Sequence, residues 1–237
     1  YVPGARLGGP RVTLTGPEHR HVGRVLRARP GDALILFDGA GGEVEARVER
    51  VGRDETELAL GERRQVAGPA VALTLLVAVP RGPRMDLIVQ KTAELGVARI
   101  VPLITDRSVA RPDAEAGRRA RWEKIAREAA RQCGRADLPA IDPPVGLAAA
   151  LAADLPARRL ALYEGERARS LRAALAGQAP AATALLVGPE GGFAAAEVEA
   201  ARAAGFEAVG LGDRILRVET AAIAAVTLVA GAYGLLG

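Results

Sequence analysis

Residues 184–193 read Ala184-Leu185-Leu186-Val187-Gly188-Pro189-Glu190-Gly191-Gly192-Phe193, and how this stretch is parsed decides the fold. Four apolar residues run into a turn whose Gly-Pro and Gly-Gly steps break regular structure, and an alanine-rich helical pattern from Ala194 to Ala204 follows at once. The order is strand, tight loop, helix. In an α/β sheet the loop at a strand's carboxyl end is where ligands sit, because helix amino ends and free backbone N–H groups converge there. A small ligand is therefore expected close to Gly188 and Gly191. A turn that is only cramped would use the same glycines, so the stretch needs company before it means a site.

That company lies on both sides. Upstream, Val71 to Val79 is a nearly continuous apolar run, as a parallel strand buried on both faces requires. Met85, Ile88, Val89, Thr92 and Leu95 then recur at helical spacing, Gly96 ends that helix, and Ala98 to Leu103 is a second strand. After a polar loop with Thr105, Asp106, Arg107 and Ser108, a helix is expected from about Arg118 to Cys133, with Trp122, Ile125, Ala129 and Cys133 inward and a row of arginines outward. Asp142-Pro143-Pro144 breaks the chain, a short helix reaches Ala153, and a strand from Arg159 to Tyr163 ends in Glu164-Gly165. Downstream, Phe206 to Leu211 is one more strand, and Ala221 to Leu236 an apolar helix.

Before Gly61 the pattern is different. Arg11 to Leu14, Ala33 to Phe37 and Gly42 to Val51 are short β-like runs separated by Pro30-Gly31-Asp32 and Asp38-Gly39-Ala40-Gly41-Gly42. A small β-barrel is the reading, with one helix from Glu18 to Ala28 whose Val22, Val25 and Leu26 face inward and whose His19, Arg20, His21, Arg24 and Arg27, with Arg29 just beyond, form a cationic face. Gly61 to Ala70 is the best boundary, which divides the chain into 1–68 and 69–237.

Composition narrows the function classes. The chain has 237 residues, 49% hydrophobic and 3% aromatic, with a net charge of +4. That length supplies one large or two smaller cores. No apolar run approaches the roughly 20 residues of a membrane span and the first residues lack a signal-peptide core, so a cytoplasmic location is expected. The single cysteine, Cys133, excludes an intrachain disulfide and a metal cluster; with both histidines before Gly23 it has no partner for Cys-His catalysis and reads as a small buried hydrophobe. Neither G-x-x-x-x-G-K-[ST] nor G-x-G-x-x-G occurs, which argues against a P-loop ATPase and a conventional dinucleotide fold. What remains is three loops that follow three late strands: Glu164-Gly165, Gly188 to Gly192, and Gly212 to Thr220. In a parallel sheet they converge on one rim, and the third is chemically the richest, with Arg214, Arg217, Glu219 and Thr220 between two apolar runs.

Five stretches carry a resemblance. His21-Val22-Gly23-Arg24-Val25-Leu26-Arg27, Gln90-Lys91-Thr92-Ala93-Glu94-Leu95-Gly96-Val97, Gln132-Cys133-Gly134-Arg135, Leu186 to Phe193 and Leu211-Gly212-Asp213-Arg214-Ile215-Leu216-Arg217-Val218-Glu219-Thr220-Ala221 are similar, in the same order, to the motifs of the RsmE family. These are bacterial SPOUT-class enzymes that methylate N3 of a uridine in 16S ribosomal RNA. The resemblance implies a PUA-like RNA-binding barrel, then an α/β domain with a mainly parallel sheet and a C-terminal trefoil knot, S-adenosylmethionine as cofactor, ribosomal RNA as partner, and a homodimer. It implies a cofactor site of Tyr163, Glu164, Val187, Gly188, Pro189, Glu190, Gly191, Leu211, Gly212, Ile215, Leu216, Thr220 and Ala221, with no metal. Arg217 and Arg214 would stabilise the deprotonated uridine, and Glu190 or Glu219 would take its proton. Arg24, Arg27, Arg29, Lys91, Arg107 and Arg135 would meet RNA. At Arg131 the chain departs from the family's usual acidic residue. Two alternatives stand beside this reading: a catalytically inactive ribosome-associated RNA-binding protein of the same fold, and a SPOUT enzyme acting on tRNA.

Overall fold

The computed structural model describes residues 1–107 and 115–236, so Ser108 of the polar loop lies outside the described residues. The chain divides into two compact units, Tyr1–Gly68 with Ala130–Leu138, and Pro69–Ala129 with Pro139–Gly237.

The first unit is built on an antiparallel sheet of β1 (Arg11–Thr15), β2 (Ala33–Phe37), β3 (Gly42–Val51) and β4 (Glu55–Gln65) in the order β1-β4-β3-β2. Period-two alternation sets which residues turn inward along β1 and β3. Val12, Leu14, Val44, Ala46, Val48 and Leu58 close a small core. The expected helix is shorter than predicted. α1 (Gly16–Arg20) gives way to a widened π-helical turn, His21–Val25, and Arg27 then takes a left-handed φ of 53°. A wider turn rotates the later side chains off the 3.6-residue register, so Val22 is buried as expected but Val25 and Leu26, expected inward, are 68% and 52% exposed. The 130–138 segment adds Ala130, Ala136 and Leu138 around Phe37.

The second unit is a three-layer α/β fold. β5 (Leu73–Ala78), β6 (Arg99–Ile104), β7 (Ala140–Ile141), β8 (Val145–Gly146), β9 (Arg158–Leu162), β10 (Thr183–Val187) and β11 (Glu207–Val209) form a parallel sheet in the order β11-β9-β10-β5-β6-β7, with β8 also on β6. β5 and β10 are buried along their whole length, as their apolar runs require. One face carries α2 (Arg84–Glu94), α3 (Glu115–Cys133), α5 (Leu171–Leu175) and α7 (Val218–Ala232), packed through Met85, Ile88, Trp122, Leu171 and Val226. The other carries α4 (Leu147–Leu151) and α6 (Ala195–Ala203), packed through Leu147, Ala150, Val198 and Ala201. Trp122 and Ala129 are buried and Ile125 is partly buried, as the stripe predicted, but Cys133 at the end of α3 is exposed. Cys133 keeps the helical register, but it is the last residue of α3 before Gly134 turns the chain with a φ of 77°, and its thiol lies against its own helix, 3.7 Å from the Ala130 carbonyl. No helix among the described residues is long and apolar enough to cross a membrane.

Candidate active site

Parallel strands end on the same side of a sheet, so the loops after β9, β10 and β11 meet at one rim. Each is shaped by its own sequence. After β10, Gly192 takes a φ of 68°, where an L side chain is strained, and its N–H donates to the Pro189 carbonyl at 2.9 Å. α6 then starts with Glu197 reaching back: its carboxylate accepts the Ala194 N–H at 2.8 Å and the Asp106 N–H at 3.1 Å. This is the acidic half of a capping box, and it explains how a charged side chain is 8% exposed. After β11, Gly210 donates to the Arg169 carbonyl at 2.9 Å and accepts from the Leu171 N–H at 2.8 Å, which ties this loop to the one after β9.

The three loops enclose a cavity of about 310 Å³. Of the predicted cofactor residues Tyr163, Glu164, Val187, Gly188, Pro189, Glu190, Gly191, Leu211, Gly212, Ile215, Leu216 and Ala221 line it, as does Arg214. Thr220, Arg217 and Glu219 are not among its lining residues. Arg217 is exposed immediately before α7, whose first turn holds Glu219. Ile215 lines the cavity with 84% of its surface still in solvent. Leu162, Arg167, Gly192, Asp213 and Val218 also line the cavity and were missed. Asp213 was legible as a charge on the third expected loop, whereas Arg167 lies beyond Glu164-Gly165, and the two face each other at 3.4 Å.

Electrostatics separate the two candidate bases. Glu190 is opposed by burial, but the Arg81 N–H at 3.0 Å, its own backbone N–H and the Arg84 guanidinium at 3.1 Å outweigh it and hold this carboxyl below the usual range. Glu219 faces Arg84 Nε at 3.7 Å through Oε1, and its Oε2 is buried.

The predicted RNA contacts fall into two groups. Arg24, Arg27 and Arg29 are exposed. The others have protein partners: Lys91 Nζ donates to Glu94 at 2.9 Å, Arg107 Nη1 to the Gly191 carbonyl at 2.6 Å, and Arg135 forms a two-pronged pair with Asp137 at 2.9 and 2.7 Å. Arg135 is 10% exposed in that pair, and it holds the Asp137 carboxyl below its usual range against the opposing effect of burial. His19 is also structural, its two ring nitrogens meeting Thr56 Oγ1 at 2.8 Å and the Arg53 carbonyl at 3.1 Å.

Comparison with known proteins agrees with this architecture. An RNA methyltransferase domain matches residues 68–230 and an RNA methyltransferase PUA domain matches residues 14–60. The ribosomal RNA small subunit methyltransferase E of Synechocystis is 34% identical over 89% of this chain and 69% of its own length. The chain belongs to the ribosomal RNA small subunit methyltransferase E family. The member from Bacillus subtilis is 30% identical over 93% of this chain and 90% of its own. Among solved structures, the Neisseria gonorrhoeae member of the methyltransferase E family, bound to S-adenosyl methionine, is 35% identical with a TM-score of 0.84, covering 93% of this chain and 91% of that one. A Legionella pneumophila protein solved with SAM bound is 34% identical with a TM-score of 0.87, covering 98% of this chain and 96% of that one.

Proposed function

We propose that this chain is an S-adenosylmethionine-dependent methyltransferase that modifies N3 of a uridine in small-subunit (16S) ribosomal RNA. The observation that carries this reading is the cavity built by three strand-end loops of a parallel sheet, in a chain of this family. Its wall suits an adenosine. Val187, Leu211, Leu216 and Ala221 supply apolar surface, while the Gly188 and Gly191 backbone permits close approach and Glu164 and Asp213 supply acceptors for hydroxyl or ammonium groups. An alanine Cβ at Gly188 would sit 2.9 Å from the Phe193 ring, so that backbone has no room for a side chain.

When bound, the cofactor supplies an electrophilic methyl group on a sulfonium. The residues then have two tasks, alignment and charge. Alignment with uridine N3 is the larger effect, because displacement requires the reacting atoms in line. Deprotonated N3 spreads charge over O2 and O4, which Arg214 at the cavity mouth and Arg217, exposed just before α7, would stabilise. Arg24, Arg27 and Arg29 would take phosphates of the strand while the target base leaves its stack.

Three finer features belong to the same reading. A trefoil knot is supported by the chain path: β11 is at the sheet edge, yet α7 packs on β10 and β5, so the Gly210 to Arg217 segment crosses back past β9. Connections of this kind are rare. A homodimer is supported by Leu87 on α2 and Leu228 on α7, which are 41% and 42% exposed on helices that pack together. A cytoplasmic location follows from the substrate.

N3 methylation blocks Watson–Crick pairing. Reverse transcription of 16S rRNA from a strain lacking this gene should read through a stop present in the parent, and unchanged stops would refute the assignment. Calorimetry with S-adenosylmethionine tests the cofactor independently; no detectable heat of binding would refute it.

A further inference from the structure

Arg167 has no part in the reading above, and Asp213 only a general one. Both line the cavity, from the loops after β9 and β11, and their charges face each other at 3.4 Å. Each stands on a turn that its own loop closes. After β9 the Glu166 N–H donates to the Tyr163 carbonyl at 3.1 Å, and the Glu166 carboxylate accepts the Ala168 and Arg169 N–H groups at 2.8 and 3.1 Å, so hydrogen bonds flank Arg167 on both sides. After β11, Gly212 takes a φ of 99° and turns the chain immediately before Asp213. The Gly210 bonds to Arg169 and Leu171 then hold the two turns opposite one another. The side chains themselves are 65% and 98% exposed. A pair so exposed contributes little to the fold, and stability does not account for its place at the cavity rim. The other acids of the cavity have neighbours of their own. Glu190 is engaged by Arg84 and the Arg81 N–H, and Glu164 lies close against the Gly192 backbone.

We infer that Arg167 and Asp213 form the subsite for the amino-acid end of the cofactor, Arg167 for its carboxylate and Asp213 for its ammonium, and that the two residues hold each other until that end arrives. This rests on the methyltransferase reading above. The chemistry of the match is simple. An α-amino acid carries one anion and one cation on a single carbon, and the rim presents one cation and one anion side by side. Binding exchanges one loose ionic contact for two, and the contact between guanidinium and carboxylate is of the kind that forms two parallel hydrogen bonds. Because the Arg167–Asp213 pair is solvated, parting it costs little. No bond is made or broken in this role. Anchoring the tail restricts the direction of the sulfonium methyl, on which in-line displacement depends.

Calorimetry of the full chain with four ligands separates the charges. S-adenosylhomocysteine and methylthioadenosine share a neutral sulfur and differ in the amino-acid end; S-adenosylmethionine and its decarboxylated form share the sulfonium and differ in the carboxylate. The unaltered protein should prefer the first of each pair by about tenfold or more. Arg167→Ala should remove the second preference, weakening S-adenosylmethionine about tenfold while the decarboxylated form and methylthioadenosine stay within about twofold. Arg167→Lys keeps the charge without the planar fork and should recover part of the loss. Asp213→Asn should weaken the three ligands that carry an ammonium by about fivefold and spare methylthioadenosine. Melting temperatures without ligand should match the parent, because both side chains are exposed. An equal loss for all four ligands would mean a distorted loop, and a carboxylate preference that survives Arg167→Ala, or that Arg214→Ala removes instead, would place the carboxylate elsewhere; either result overturns the inference. Failure of the unaltered protein to bind any of the four refutes the methyltransferase reading itself. Equal affinity for S-adenosylhomocysteine and methylthioadenosine leaves that reading standing and refutes the subsite alone.

Discussion

Asp38 shows how much a single carboxylate holds in place in the first unit. Its Oδ1 accepts the Ala40 and Gly42 N–H groups at 2.7 and 2.9 Å, its Oδ2 pairs with Arg63, and its side chain is 3% exposed. Burial pushes its pKa up, but the two backbone donors and the arginine more than offset this, so it titrates below the ordinary 3.8. A depressed folded value means that the ionised group stabilises the fold fully above the ordinary pKa and loses that contribution as pH falls through the folded one. Asp137, held down by Arg135, acts in the same direction. Melting temperature should therefore drop steeply as pH falls below about 4. Asp38→Asn should cost about 1–3 kcal/mol at neutral pH, with the deficit shrinking toward pH 3, and a deficit independent of pH would show that the turn, not the charge, is responsible. The turn was legible as Asp38-Gly39-Ala40-Gly41-Gly42, but the ion pair was not, because Arg63 lies 25 residues away and no local pattern links them.

Elements were legible where one physical requirement dominates. Strands buried on both faces must be continuously apolar, and Val71 to Val79 and Thr183 to Val187 were found as β5 and β10 for that reason. The 16–28 segment misled because apolar spacing assumes 3.6 residues per turn, and a π-helical turn at His21–Val25 spends an extra residue. The cavity loops were legible from strand ends and turn residues, but Arg84 was not, since its partner Glu190 is 106 positions away. The junction of the β9 and β11 loops is the element-scale weak point. A Cβ at Gly210 would lie 2.4 Å from the Glu166 carbonyl oxygen, a backbone atom with little freedom to retreat. Gly210→Ala should destabilise by about 1–3 kcal/mol and weaken S-adenosylmethionine binding at least about tenfold, which corresponds to 1.4 kcal/mol or more. Gly231→Ala in α7, with open space around its Cβ, should be neutral or stabilising by up to about 1 kcal/mol. Equal loss in both proteins would mean that glycine content, and not this contact, matters.

For the whole molecule, association can be separated from chemistry. Leu228→Glu together with Leu87→Glu should convert a dimer to monomer in sedimentation equilibrium while circular dichroism stays that of the parent, because both positions are more than a third exposed; a parent that already sediments as a monomer refutes the dimer. RNA affinity should respond to a different surface. Arg24→Ala with Arg27→Ala should weaken binding across RNA sequences and reduce the slope of log affinity against log salt by about 0.7 per lost phosphate contact, with cofactor affinity unchanged. An unaltered slope would remove the exposed turn from the RNA interface.

The first compact unit contains Ala130–Leu138 as well as residues 1–68, and this bears on how the protein is made. A nascent chain emerges amino end first, so the antiparallel sheet is present long before the segment that covers Phe37, with β5, α2, β6 and most of α3 synthesised in between. Until then Phe37 and the Gly39 backbone lack their final neighbours, Leu138 among them. The unit is therefore closed by contacts of long sequence separation, and such contacts come late in folding because their loop-closure cost is met before they stabilise anything.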